Sequence, residues 1–150
     1  PPQLFWNCGP DSTTEFAPLT EEQCGADLFK RMVGRAAVAA DFDQDGDPDI
    51  LITACGQKPR LLRNDQSTGH NWVRFEVDAP IGSTVEVHAG GLVQKQQIMP
   101  TRSYLSQSDA GLTFGLGAAA SVERVVIRKP GPDATPVSRD TVEINRRMAL

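Results

Sequence analysis

Nine consecutive residues, Asp41-Phe42-Asp43-Gln44-Asp45-Gly46-Asp47-Pro48-Asp49, carry five carboxylates and no Lys or Arg. At that density like charges repel and raise one another's pKa, so the segment is unfavourable without a cation. The chain's net charge is −4, and without those five charges it would be +1, so its acidity is concentrated here. Oxygen ligands in this number suit Ca2+, which takes about 6–8 of them at about 2.3–2.6 Å, better than Mg2+, which keeps several waters in a near-octahedral shell. The alternative is a solvated acidic turn that binds nothing specific.

The spacing is D-x-D-x-D-G-x-x-D. Asp41, Asp43 and Asp45 put alternate side chains inside a tight loop, and Gly46 permits the positive-φ turn that folds the chain over the ion. Asp47 is expected to offer its backbone carbonyl with its carboxylate turned to solvent, and Asp49 to close the shell. Pro48 fixes φ between the last two ligands and lowers the entropy lost on ordering. An EF-hand begins the same way, but it needs a bidentate Glu at its twelfth position and a helix on each side. That position is Ile52 and the flanks read as strands, which excludes it.

No other constellation is comparably specific. His70 and His88 are far apart and neither sits in a nucleophile motif. The run Ser103 to Ser108 lacks the G-x-S-x-G elbow. Gly115-Leu116-Gly117 reads as tight turning at a strand end. Carboxylates that hold a cation are poor acid–base groups, so no catalytic residue is assigned and a non-enzymatic chain is expected.

The elements that must position the loop are strands. Ala36–Ala40 leads into it, Ile50–Ala54 leaves it as a buried strand, and Arg60–Arg63 follows. From Trp72 to Val77 the texture becomes strict alternation, the mark of a half-buried strand. Similar strands are expected at 84–88, 92–99, 112–116, 123–128 and 141–144, at the spacing of an antiparallel sandwich or barrel. Gly 13 and Pro 11 among 150 residues supply the turns such a fold needs, including the stretch from Pro130 to Pro136. Beyond Asn145 the chain reads as frayed or truncated. Thr20 and Gln23 form a capping-box pattern that predicts a short helix to about Met32. The fold class is all-β: a single blade-like unit with the acidic loop, packed on an antiparallel sandwich or barrel. The division is an irregular segment 1–33, a blade 34–66 and a β domain 67–150.

Cys8 and Cys24 bracket a turn-rich loop, Gly9-Pro10-Asp11-Ser12, and in an oxidising compartment that arrangement predicts a disulfide; the alternative is three reduced thiols. Cys55 would be the odd thiol, buried behind a strand, and no CxxC spacing supports zinc. The chain starts Pro1-Pro2 without Met, as expected of a chain whose leader is removed or of a piece of a longer polypeptide. No apolar run reaches the roughly 18–20 residues of a membrane span. An acidic chain without a basic stripe makes nucleic acid a poor partner.

The run Gly34 to Ile52 resembles a single FG-GAP/VCBS-type repeat, the calcium-loop blade element of integrin-α-like propellers, and Arg60–Asp65 resembles the strand that completes such a blade. Asn71-Trp72-Val73, Ile81–Val87, Tyr104–Ser108 and Phe114–Gly117 match in order the pattern of the ASPIC/UnbV domain, which follows such repeats in cartilage acidic protein-like chains and bacterial relatives. Where that family has Trp-Pro-Ser-Gly late in the domain, this chain has Arg128-Lys129-Pro130-Gly131, and it supplies one repeat where the family normally supplies several. The resemblance implies calcium ligation, a secreted or periplasmic location and a recognition role, with no catalysed reaction.

A lone blade needs a neighbour to bury its faces. An interaction module or accessory subunit with a protein partner is therefore expected, with Phe5, Trp6 and Phe16 as docking aromatics or as cover for the chain's own core. The rival reading is a polysaccharide-binding module, for which Trp72 and Tyr104 are the strong aromatic candidates. A third is a non-catalytic domain of a larger enzyme.

Overall fold

A computed structural model describes residues 1–9, 12–131 and 136–150, and it runs almost wholly as short strands joined by turns. The first two, β1 (Phe5–Asn7) and β2 (Phe16–Pro18), form an antiparallel hairpin with Trp6 opposite Ala17. Only the ends of the expected disulfide loop are described, Pro10 and Asp11 lying outside. The expected helix is two single turns, α1 (Glu21–Cys24) and α2 (Ala26–Phe29), and it stops short of Met32. Gly25 at φ 79° breaks it, a conformation helices do not propagate through. The capping residues behave as expected, the Thr20 N–H donating to Gln23 Oε1 at 2.9 Å.

The blade has three antiparallel strands in the order β3-β4-β5: β3 (Gly34–Ala40), β4 (Asp49–Ala54) and β5 (Arg60–Leu62). Ala40 pairs with Asp49, so the acidic segment is the connection between two neighbouring strands, closed at its mouth by their last rung. Leu51 pairs with Leu61, which brings the residues after β5 back beside Asp49.

The larger unit contains β6 (Asn71–Glu76), β7 (Thr84–Ala89), β8 (Leu92–Gln97), β9 (Leu112–Gly117), β10 (Val122–Arg128), β11 (Val137–Val142) and β12 (Arg147–Ala149). One sheet runs β11-β10-β7-β8 and the other β12-β6-β9. Alternation puts Val73 and Phe75 of β6 on one face, and there they meet Val85, Val87, Phe114, Val122 and Val125, all essentially without solvent contact. Phe75 and Phe114 pack edge to face with ring centroids 6.0 Å apart. Each such side chain stabilises the fold by roughly 1.5–3 kcal/mol. The two sheets form a sandwich and do not close into a barrel. Instead the free edge of β9 is satisfied by side chains of β8: Gln94 Nε2 donates to the Gly115 carbonyl at 2.6 Å and Gln96 Nε2 to that of Thr113 at 2.7 Å.

The C-terminal region departs from expectation. The strand placed at 141–144 is β11, earlier and longer; of the turn-rich stretch before it, 132–135 lie outside the described residues. Past Asn145 the chain is ordered into β12, which pairs in parallel with β6, Arg147 opposite Arg74 and Met148 opposite Phe75. Met148 and Leu150 pack on the core. A three-residue parallel strand depends on a partner more than 70 positions away and leaves no local pattern.

The outer face of the β12-β6-β9 sheet carries Trp72, Arg74 and Arg147 and receives the blade. Buried Arg74 donates Nη2 to Asp109 Oδ2 at 2.6 Å, and the neighbouring backbone is joined to β3, the Asp109 N–H to the Ala39 carbonyl and the Ala39 N–H to Ser108 Oγ, each at 3.3 Å. The blade thus finds in its own chain one of the neighbours it needs.

Candidate metal centre

The acidic connection turns through two left-handed residues, Gln44 at φ 68° and Gly46 at φ 107°. Gly46 is required twice over: at that φ a side chain is strained, and a Cβ there would fall inside the Trp72 indole. The turn therefore lies flat against β6.

Asp41, Asp43 and Asp49 each present a carboxylate oxygen within 4.8 Å of the other two. Asp41 immediately follows β3 and Asp49 begins β4, and these two are buried, at 7% and 1% exposure, whereas Asp43 is exposed. Asp49 organises the loop: Oδ2 accepts from the Phe42 N–H and Oδ1 from the Asn64 N–H, both at 2.8 Å. Each of those oxygens keeps a lone pair for a cation. Asp41 Oδ2 accepts from Arg147 Nη2 at 2.9 Å, while its Oδ1 is buried with no hydrogen-bond partner.

Asp45 is outside the cluster; its Oδ1 accepts from the Asp47 N–H at 3.2 Å in a local turn. Asp47 differs from expectation, because its Oδ1 is buried and unpartnered instead of facing solvent. Burial, with Asp45, Asp49, Asp43 and Asp41 around it, pushes its carboxyl up to about 6.

An orphaned buried oxygen costs about 1–3 kcal/mol, and two lie within one nine-residue loop. An all-oxygen donor set with free lone pairs, buried negative charge and unsatisfied acceptors fits a hard divalent cation. Asp41, Asp43 and Asp49 would hold it. Two cations of the chain itself come to the loop from elsewhere, Arg147 on Asp41 and Arg63, whose Nε lies 3.8 Å from Asp43 Oδ2 and 2.6 Å from Asp65 Oδ1. The second of these contacts is local and exposed.

The other predicted residues separate. Phe5, Trp6 and Phe16 share the β1–β2 hairpin and are exposed, Trp6 by 63%. Tyr104 is 69% exposed on the loop between β8 and β9. Trp72 is not available as a partner-binding aromatic, since it is half-buried against Gly46. Cys8, Cys24 and Cys55 are all free thiols, so the Cys8–Cys24 bond is not formed, and Cys55 is exposed, not buried. Cys55 immediately follows β4, where the chain turns out to solvent.

Sequence reasoning missed Asn64 and Arg147. Asn64 follows a strand expected to pair with β4, and the register alone would have placed its N–H beside Asp49. Arg147 is 106 residues from Asp41 and nothing local announces it.

Among the described residues no helix is long and apolar enough to cross a membrane. No curated protein matches the chain. Two families do: residues 33–69 match the FG-GAP repeat and residues 77–150 match the ASPIC and UnbV family. The seam that the geometry shows, with the acidic loop on one side and the sandwich on the other, falls between the two matches. Along the chain the match to the FG-GAP repeat is followed by the match to the ASPIC and UnbV family, in the order the sequence motifs led us to expect.

Proposed function

We propose that this chain is a non-enzymatic, exported interaction module in which Asp41, Asp43 and Asp49 hold a structural Ca2+. The observation that carries the reading is Asp41 Oδ1, a buried, unpartnered carboxylate oxygen beside two further carboxylates. FG-GAP repeats commonly bind calcium, which supports both the ion and a secreted or periplasmic setting. Extracellular modules hold Ca2+ at about 10⁻⁴–10⁻³ M, so a site of this kind stays filled where calcium is millimolar. Calorimetric titration tests the site: heat of binding for Ca2+ in preference to Mg2+, abolished in Asp43→Ala, is expected, and no heat for either ion overturns it.

The role proposed for the assembled face is docking onto a protein partner through the hairpin aromatics Phe5, Trp6 and Phe16, whose exposure favours them as anchors. Deleting residues 1–16 should weaken complex formation and leave a folded β protein; an unfolded product would show that the hairpin serves the chain's own core. The polysaccharide reading is left with Tyr104, since Trp72 is committed to the loop.

A further inference from the structure

We infer that the cation site is also the joint that fastens the C-terminal strand and the blade to each other, with Asp41 as the shared carboxylate. The inference rests on the calcium reading above and goes beyond it by naming what the site controls. The two oxygens of Asp41 are divided: Oδ2 accepts from Arg147 of β12 at 2.9 Å, and Oδ1 is buried with no hydrogen-bond partner, in a carboxylate that clusters with those of Asp43 and Asp49. Arg147 is therefore a positioning residue, in contact with a ligand and not with the ion.

A second, separate link runs through Trp72. Its indole backs Gly46 of the loop, and its backbone is clamped on both sides by Asn145, the residue that turns the chain into β12. The Asn145 N–H donates to the Trp72 carbonyl at 2.6 Å and the Trp72 N–H donates to Asn145 Oδ1 at 3.0 Å. Asn145 sits at φ 54°, a left-handed conformation that Asn tolerates better than most residues. The short β12 then continues along β6, the Arg74 N–H donating to the Arg146 carbonyl at 3.1 Å and the Leu150 N–H to that of Glu76 at 2.9 Å.

A strand of three residues has few hydrogen bonds to hold it and opens easily unless it is anchored. Two anchors tie its side chains and its entry turn to the acidic loop, so whatever orders the loop orders the strand. Conversely, with β12 lifted off, Asp41 loses its arginine, and Trp72, on which the loop lies, loses its clamp. Cation binding and docking of β12 are thus linked, and the linkage is reciprocal.

The test is amide hydrogen exchange of the full chain with and without Ca2+, with calorimetry run alongside to read binding independently. At saturating Ca2+ the amides of 143–150 are expected to exchange about ten-fold more slowly, a fraction of the roughly hundred-fold that ligand at 100 times its dissociation constant imposes on an opening that abolishes binding. In Arg147→Met the response of that segment should fall below about two-fold, and Arg147→Lys, which keeps the charge, should regain part of it. Binding with no change in 143–150, or a full response persisting in Arg147→Met, overturns the joint. No heat of binding means that the calcium reading itself has failed, and the joint with it. The wild-type comparison needs no variant and decides alone if Arg147→Met does not fold.

Discussion

The two units of this chain are held together by different chemistry. In the sandwich, a continuous cluster of buried Val, Leu, Ile and Phe spans both sheets, and its edges are finished by glutamine side chains. The blade contributes none of its residues to that cluster; Ile52 is its one buried large apolar side chain among the described residues, whereas two of its carboxylates, Asp41 and Asp49, are buried. A core of close-packed hydrophobes responds to lost volume and is indifferent to ions and charge. A unit organised by carboxylates depends on each polar partner, because an orphaned buried oxygen is costly. The blade is therefore the part whose order responds to conditions, and its position on Trp72 carries that response to the sandwich.

The largest effect should come from the sandwich core. Phe114→Ala removes one of two rings packed edge to face and is expected to cost about 3–5 kcal/mol, read by chemical denaturation. A loss under about 1 kcal/mol would show that the two rings do not share a tightly packed core. Next is Gly46→Ala, which forces a Cβ into the Trp72 indole at a φ of 107° and should cost about 2–4 kcal/mol. Adding Trp72→Ala should recover part of that, because the two residues share one contact; strict additivity in the double-mutant cycle would break the seam. Smaller again is Gln96→Ala, which exposes the edge of β9 and should cost about 1 kcal/mol without altering any response to calcium. Tyr104→Ala should fall within about 0.5 kcal/mol of wild type, as expected of a side chain that faces solvent.

Legibility in the sequence follows the same division. Alternation from Trp72 onward located the strands of the sandwich, because one face of each must be apolar for the sheets to pack. The acidic loop was equally plain, since five carboxylates crowded around a glycine repel one another unless a cation offsets their charge. What stayed hidden depends on distant pairing. The three residues of β12 have no periodicity to detect, and Arg147 meets Asp41 only because β12 lies along β6. Trp72 was a candidate recognition aromatic by its residue type, and only the docked blade shows that its ring is covered. Asp47 was expected to face solvent because a loop carboxylate normally does, and nothing in the sequence signals that its Oδ1 is buried. The short hairpin β1–β2 was missed for want of enough alternating residues, and the Cys8–Cys24 bond was expected from spacing alone, which does not fix whether two thiols meet.

The central claim is that the carboxylate loop is a cation site on which the blade's order depends. Its most direct test is thermal unfolding of the full chain in EDTA, in Ca2+ and in Mg2+, with Asp43→Ala in parallel. Calcium at about 100 times its dissociation constant should stabilise by about 2.7 kcal/mol, raising Tm by about 5–10 °C for a chain of this size, with a smaller shift for Mg2+ and none in the variant. The same Tm in EDTA and in millimolar Ca2+ would contradict the account, leaving the five aspartates as a solvated acidic turn.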